Sequence, residues 1–65
     1  MINAVRDLRG LTGMSQAALG DALGESRQTI NSIETGKYDP SLPLAFAISR
    51  FFDRTIEEVF DDQDT

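Results

Sequence analysis

Residues 16–35 read Gln16-Ala17-Ala18-Leu19-Gly20-Asp21-Ala22-Leu23-Gly24-Glu25-Ser26-Arg27-Gln28-Thr29-Ile30-Asn31-Ser32-Ile33-Glu34-Thr35, two helical patterns joined by a turn. Ser15 stands just before it, where a side-chain oxygen accepts a first-turn N–H and caps a helix from Gln16 to Leu23. Leu19, Ala22 and Leu23 recur at helical spacing and form the inner side of that helix. Gly24 follows as the residue able to take the left-handed conformation of a tight turn. Ser26 caps a second segment, Arg27 to Thr35, and Gly36 ends it. Its apolar positions are only Ile30 and Ile33, whereas Arg27, Gln28, Asn31, Ser32 and Thr35 fall at i, i+1, i+4, i+5 and i+8 and share one face. Such a helix anchors itself by two residues and turns a face rich in hydrogen-bonding groups outward.

The flanks continue the helical pattern. Ile2, Val5 and Leu8 step at threes along a first helix running from about Asn3 to Thr12, with Gly13 as its stop. A fourth helix begins near Ser41, where Pro43 is tolerated in the first turn, and its stripe of Leu44, Ala45, Ile48, Phe51 and Phe52 is the most hydrophobic in the chain. Thr55 and Glu58 form a T-x-x-E capping box for a last short helix carrying Ile56, Val59 and Phe60. No period-2 strand pattern is visible, so the expectation is an all-α domain of five helices over residues 1–60, with Asp61 to Thr65 as a short, frayed acidic tail.

Composition narrows the function. Sixty-five residues make one small domain, and domains of this size bury only about 60% of the surface their unfolded chains expose, so stability needs help. The absence of cysteine and histidine removes disulfides, the usual nitrogen and sulfur metal ligands and the commonest general base, which leaves oligomerisation as the support. No metal or cofactor is expected. An enzyme has no footing either, because no Gly-rich phosphate loop appears and scattered carboxylates define no acid–base pair. The longest apolar run, Leu42 to Ile48, is broken by Pro43 and far short of the roughly 20 residues of a membrane span, and no signal-peptide core is present. At 40% hydrophobic and 26% charged the chain is globular rather than disordered, and the expectation is a cytoplasmic protein. The net charge of −5 taken alone argues against nucleic acid. Its distribution softens that objection: Met1 to Phe52 carries five acids and five bases, while Asp53 to Thr65 carries six acids against Arg54 alone. The body is neutral and the excess is terminal.

The spacing of residues 16–35 fits a helix-turn-helix, whose second helix is presented for the DNA major groove. The chain strongly resembles the Cro/CI repressor (Xre) family of bacterial and phage transcription regulators. The matching residues are Met14-Ser15-Gln16-Ala17-Ala18-Leu19, Leu23-Gly24, Ser26-Arg27-Gln28-Thr29-Ile30-Asn31-Ser32-Ile33-Glu34-Thr35-Gly36-Lys37 and Pro40-Ser41-Leu42. The likeness extends to the leading Arg6-x-x-Arg9 helix and the closing Thr55-Ile56-Glu57-Glu58-Val59-Phe60, so it covers nearly the whole chain. It implies a lambda-repressor-like fold with the helix-turn-helix at helices two and three, acting on double-stranded DNA. Two positions depart from the pattern. Family members usually have Ala at the place of Gly20, and an interior helical Gly costs about 1 kcal/mol relative to Ala while keeping a close helix approach possible. Glu25 puts an acid in the turn where a small apolar residue is common, near the path of the phosphates.

By this resemblance Arg27, Gln28 and Ser32 occupy base-contacting positions, and Asn31 serves either a base or a phosphate. Chemistry agrees: Gln pairs bidentately with adenine, Arg with guanine, and short Ser or Asn approaches base edges. Gln16, Ser26, Thr29, Lys37 and Tyr38 are the phosphate-contacting candidates, with packing as the alternative for Tyr38. The family pattern pairs Arg9 with Glu34 as a structural salt bridge between the first and third helices. Phe52, Val59 and Phe60 are candidates for a homodimer interface, with plain core packing as the alternative. The acidic tail is either a solubilising end, a partner-binding segment or a strand completing a dimer. The leading expectation is a homodimeric regulator, a repressor, on a near-palindromic operator. The rival is an antitoxin-like protein or acidic adaptor acting through an additional protein partner.

Overall fold

The hydroxyls of Ser15, Ser26, Ser41 and Thr55 each accept the N–H of the residue three places on, and four helices start at these points. The computed structural model describes residues 1–61. Within them the order is β1 (Ile2–Asn3), α1 (Val5–Thr12), α2 (Gln16–Leu23), α3 (Arg27–Glu34), α4 (Leu42–Phe51), α5 (Ile56–Val59) and β2 (Phe60–Asp61). The Thr55/Glu58 capping box is complete, with Glu58 Oε1 accepting the Thr55 N–H at 2.8 Å. That hydrogen bond, with the Thr55 hydroxyl and Arg54 nearby, holds the Glu58 carboxyl below its ordinary value against a small opposing effect of burial. No helix among the described residues is long and apolar enough to cross a membrane.

The helical expectation holds, with corrections at the ends. β1 and β2 pair antiparallel, Ile2 opposite Asp61 and Asn3 opposite Phe60. Two-residue strands are too short to show a period-2 pattern, which is why the sequence hid them. Asp61 is therefore part of the sheet rather than the start of a frayed tail, and Asp62 to Thr65 lie outside the described residues. The ladder also moves the start of α1 from Asn3 to Val5. The Asn3 side chain links two helix ends there: Oδ1 accepts the Val5 N–H at 3.2 Å and Nδ2 donates to the Ile33 carbonyl at 2.8 Å, beside a longer contact to the Met1 carbonyl at 3.4 Å.

Val5, Leu19, Ile30, Ile33, Ile48 and Val59 are fully enclosed, each worth about 1.5–3 kcal/mol relative to exposure. Leu44, Ala45 and Phe60 complete the core, and Leu8, Met14, Leu23, Phe52 and Ile56 pack around it. Three expected core positions are corrected. Ala22 faces solvent, and Gly20 is the buried neighbour of Leu19 because α3 approaches α2 on that side. Phe51 is 40% exposed, lying one step beyond Ile48 at the end of α4, where it meets Phe52 edge to face at 5.1 Å. Ile2 is also exposed, its place on the helical stripe having been lost to the strand.

Candidate nucleic-acid interface

The turn between α2 and α3 is set by two glycines acting differently. Gly24 ends α2 with φ +72°, a left-handed conformation that residues with a side chain rarely adopt. Gly20 provides room: its carbonyl accepts the Glu25 N–H at 2.8 Å, and a Cβ on it would lie 2.6 Å from the Glu25 carbonyl oxygen. The close approach that fixes α3 against α2 therefore depends on the absence of a side chain at position 20. The departure from the family pattern is a packing requirement of this turn.

Ile30 and Ile33 pin α3 to the core and leave Arg27, Gln28 and Asn31 exposed, with Thr29 and Ser32 half-buried at the margins. Past the helix the chain folds back, because the N–H groups of Lys37 and Tyr38 both donate to the Ser32 carbonyl, at 2.9 and 3.2 Å. The 45%-exposed Tyr38 is thus brought beside the outer face of α3, and the exposed Lys37 precedes it in the same loop. Two shallow grooves flank that face. One is lined by Gln16, Arg27, Gln28, Asn31 and Ser32, the other by Ser26, Gln28, Thr29, Ser32 and Tyr38. Gln28 and Ser32 border both. Ser26 Oγ is already engaged as the cap of α3, accepting from Thr29 N at 3.1 Å and lying 3.0 Å from Thr29 Oγ1.

Beneath this surface Arg9 and Glu34 meet side by side: Nε donates to Oε2 at 2.7 Å and Nη2 to Oε1 at 3.1 Å. Arg9 Nη1 also donates to the Met14 carbonyl at 2.9 Å, so one guanidinium joins α1, the loop before α2 and α3. The side chains are 17% and 3% exposed. Burial alone would raise the Glu34 carboxyl, but hydrogen bonds from Arg9 and Gln16 and the charges of Arg9 and Arg6 carry it below its ordinary value. The bond to Glu34 raises Arg9 against the opposing effect of burial.

Of the dimer candidates, Val59 is 1% and Phe60 9% exposed, so both serve the core of this chain. The remaining edge of Phe60 lines a largely apolar groove with Leu42, Ala45 and Ile56. Phe52 is half-buried. The apolar side chains turned outward nearby are Leu42, Phe46 and Phe51, and the Arg50 guanidinium covers the Phe46 ring at 5.6 Å. The link from Gln16 Nε2 to Asn31 Oδ1 at 3.1 Å and to Glu34 Oε1 at 3.0 Å escaped sequence reasoning. It joins residues on different helices, and no local spacing signals it.

Two helices joined at a glycine turn, the first braced on the scaffold and the second anchored by two isoleucines beneath an outward polar face, define a helix-turn-helix protein. Residues 5–59 match the helix-turn-helix family, and the chain belongs to it, of the Cro/CI (Xre) kind that its sequence resembles. It is similar to an uncharacterized HTH-type transcriptional regulator of Methanocaldococcus jannaschii, 52% identical over 60 residues covering 92% of this chain and 91% of the relative. It is similar also to YgzD of Bacillus subtilis, another uncharacterized HTH-type transcriptional regulator, 47% identical with the same coverage of both chains. A third, from Archaeoglobus fulgidus, is 42% identical over 66 residues, covering 98% of this chain and 94% of the relative.

Proposed function

We propose that this protein is a sequence-specific DNA-binding transcriptional regulator, a repressor, that reads a near-palindromic operator as a homodimer. The observation that carries the reading is the outer face of α3, where Arg27, Gln28, Asn31 and Ser32 stand together on a helix whose other side is locked into the core. Forked donors beside short polar side chains are the equipment for base edges in the major groove. Lys37, Tyr38, Ser26, Thr29 and the start of α2 at Gln16 surround that face and take the phosphates, which set register without reading sequence. The homodimer draws on the apolar surface around Phe52, Phe51 and the exposed edge of Phe60. The names of the relatives support the regulatory reading.

Random-site selection at low salt tests this. A palindromic consensus whose affinity falls steeply with salt is the expected result, since phosphate contacts release counterions. Recovery of no consensus removes the proposal. The acidic C-terminal stretch and Glu25 favour a second reading, an antitoxin-like or adaptor role through a protein partner. A stoichiometric protein partner captured by a chain without DNA affinity selects that reading instead.

A further inference from the structure

The groove between the start of α4 and α5 measures about 390 Å³, within the size range of small-molecule sites. Its walls are carbon: Pro40, Leu42, Ala45, Ile56 and the edge of Phe60. Leu42 is 64% exposed, so water lies against that wall where an apolar body would release it. The charged side chains that line the groove are both acidic, Asp39 and Glu57. Asp39 already holds a cation, because the Met1 α-ammonium lies 3.3 Å from its Oδ1, and Met1 itself lines the groove. One residue of the chain thus brings an apolar side chain and an ammonium group to this place together. Glu57 differs, since no hydrogen bond or ion pair engages its carboxylate among the described residues. The groove therefore offers apolar walls and one uncommitted negative charge.

We propose that this groove binds a small amphiphilic cation, a primary amine with an apolar body: the ammonium group pairs with Glu57, and the body lies against Leu42, Ala45, Ile56 and Phe60. The lining sets the sign and the shape of the ligand. An anionic amphiphile would face two like charges, a neutral one would leave Glu57 unpaired, and an inorganic cation would make no use of the walls. The site shares no lining residue with the two grooves at α3. It does share the edge of Phe60 with the surface assigned above to the second copy, so an occupied groove opposes pairing of the copies. That consequence alone rests on the homodimer reading.

The test titrates the full chain with n-octylammonium, n-octanol and n-octanoate, each below its aggregation concentration, and follows the methyl groups by NMR. Octylammonium is expected to displace the signals of Leu42, Ala45 and Ile56 together and to bind about tenfold more tightly than octanol, the worth of a charge-assisted hydrogen bond. Octanoate binds more weakly still, and the affinity for the amine falls as salt rises. Glu57→Gln removes the advantage of the amine over the alcohol, and Leu42→Ser weakens both. Both side chains are exposed, so neither change threatens the fold. Asp7→Asn, which alters an exposed carboxylate outside the groove, leaves binding unchanged. The proposal is overturned if octylammonium does not bind, if octanoate binds as well as the amine, if the shifts scatter over the surface, or if the preference for the amine survives Glu57→Gln. Sedimentation tests the consequence: bound octylammonium should move the chain toward monomer. A dimer that persists with the amine bound overturns the competition and leaves the amine site standing. A chain that is monomeric throughout overturns the homodimer reading instead.

Discussion

Ser49 is 4% exposed, and its Oγ has no hydrogen-bond partner among the described residues. A buried hydroxyl without a partner has lost its water and gained nothing, so Ser49→Ala is expected to raise stability by about 1 kcal/mol, read as a higher denaturation midpoint. A lower midpoint would reveal a bound water or another partner at that hydroxyl. Arg9 and Glu34 present the opposite case, in which the buried polar groups are fully engaged. Removing one partner strands the other, at a cost of about 3–5 kcal/mol for a buried pair. The two truncations are not equal here. Arg9→Ala leaves a carboxylate only 3% exposed, its full charge facing the single neutral donor of Gln16, whereas Glu34→Ala leaves a guanidinium 17% exposed that keeps its bond to Met14. Arg9→Ala is therefore the more damaging, and for a small domain holding about 5 kcal/mol in all it approaches unfolding. Equal melting temperatures for the two variants would contradict this geometry. The pair also sets a pH dependence. The folded carboxyl of Glu34 lies below its unfolded value, so its stabilisation is fully present above the ordinary carboxylate range and is lost as pH falls through the folded value. Acid unfolding of the parent should follow that loss. The gap in melting temperature between parent and Arg9→Ala should narrow at low pH, and a constant gap would show that Glu34 does not titrate with the pair.

Among the elements, the turn between α2 and α3 makes the sharpest demand on sequence. Helix propensity alone favours Ala over Gly at position 20 by about 1 kcal/mol. Sterics run the other way, because a methyl group there would lie 2.6 Å from the Glu25 carbonyl and 3.3 Å from the Ser26 carbonyl, and backbone atoms do not swing aside as side chains do. Overpacking of this kind costs about 1–3 kcal/mol, so Gly20→Ala should lower stability despite the better propensity. Thermal melting decides it, and a rise would mean that α3 can shift outward at little cost. The same contrast explains what the sequence made legible. The helices announced themselves through local chemistry: a hydroxyl at each of four caps, glycines past the ends of α1 and α2, and isoleucines at 30 and 33 beneath a polar face. Those are signals within one element. What stayed hidden was set by meetings between elements, such as Ile2 and Asn3 pairing with the end of α5's chain at Phe60 and Asp61, or Ala22 giving way to Gly20 on the inner side of α2. The candidate site divides along the same line. The residues forming the outer face of α3 follow from helical period, whereas the reach of Gln16 across to Asn31 and Glu34 needs the fold.

The described residues span 30 × 23 × 21 Å, which is smaller than the roughly 34 Å between major-groove segments one turn apart on the same face of DNA. A single copy presents α3 to one half-site, so reading a palindrome requires a second copy. Sedimentation of the protein with its selected operator should show two chains per site, and one chain per full-length site would exclude the dimer. Charge works at this scale too. The first 52 residues are neutral in sum, and the acids that make the total −5 lie from Asp53 onward, away in sequence from the outer face of α3. With no net positive charge over those 52 residues, binding to DNA would rest on a few placed contacts, which divide into groups that read and groups that hold. Gln28 borders both grooves on α3, and the backbone of Lys37 folds back onto the Ser32 carbonyl at the end of that helix. Gln28→Ala should relax preference at one base pair per half-site by about 1–3 kcal/mol and leave the salt slope unchanged. Lys37→Ala should weaken every sequence about equally and reduce the slope by about one. The measurement is a full matrix of operator variants titrated at several salt concentrations. If both substitutions weaken all sites uniformly, α3 is not reading bases, and its polar face holds the DNA backbone without selecting sequence.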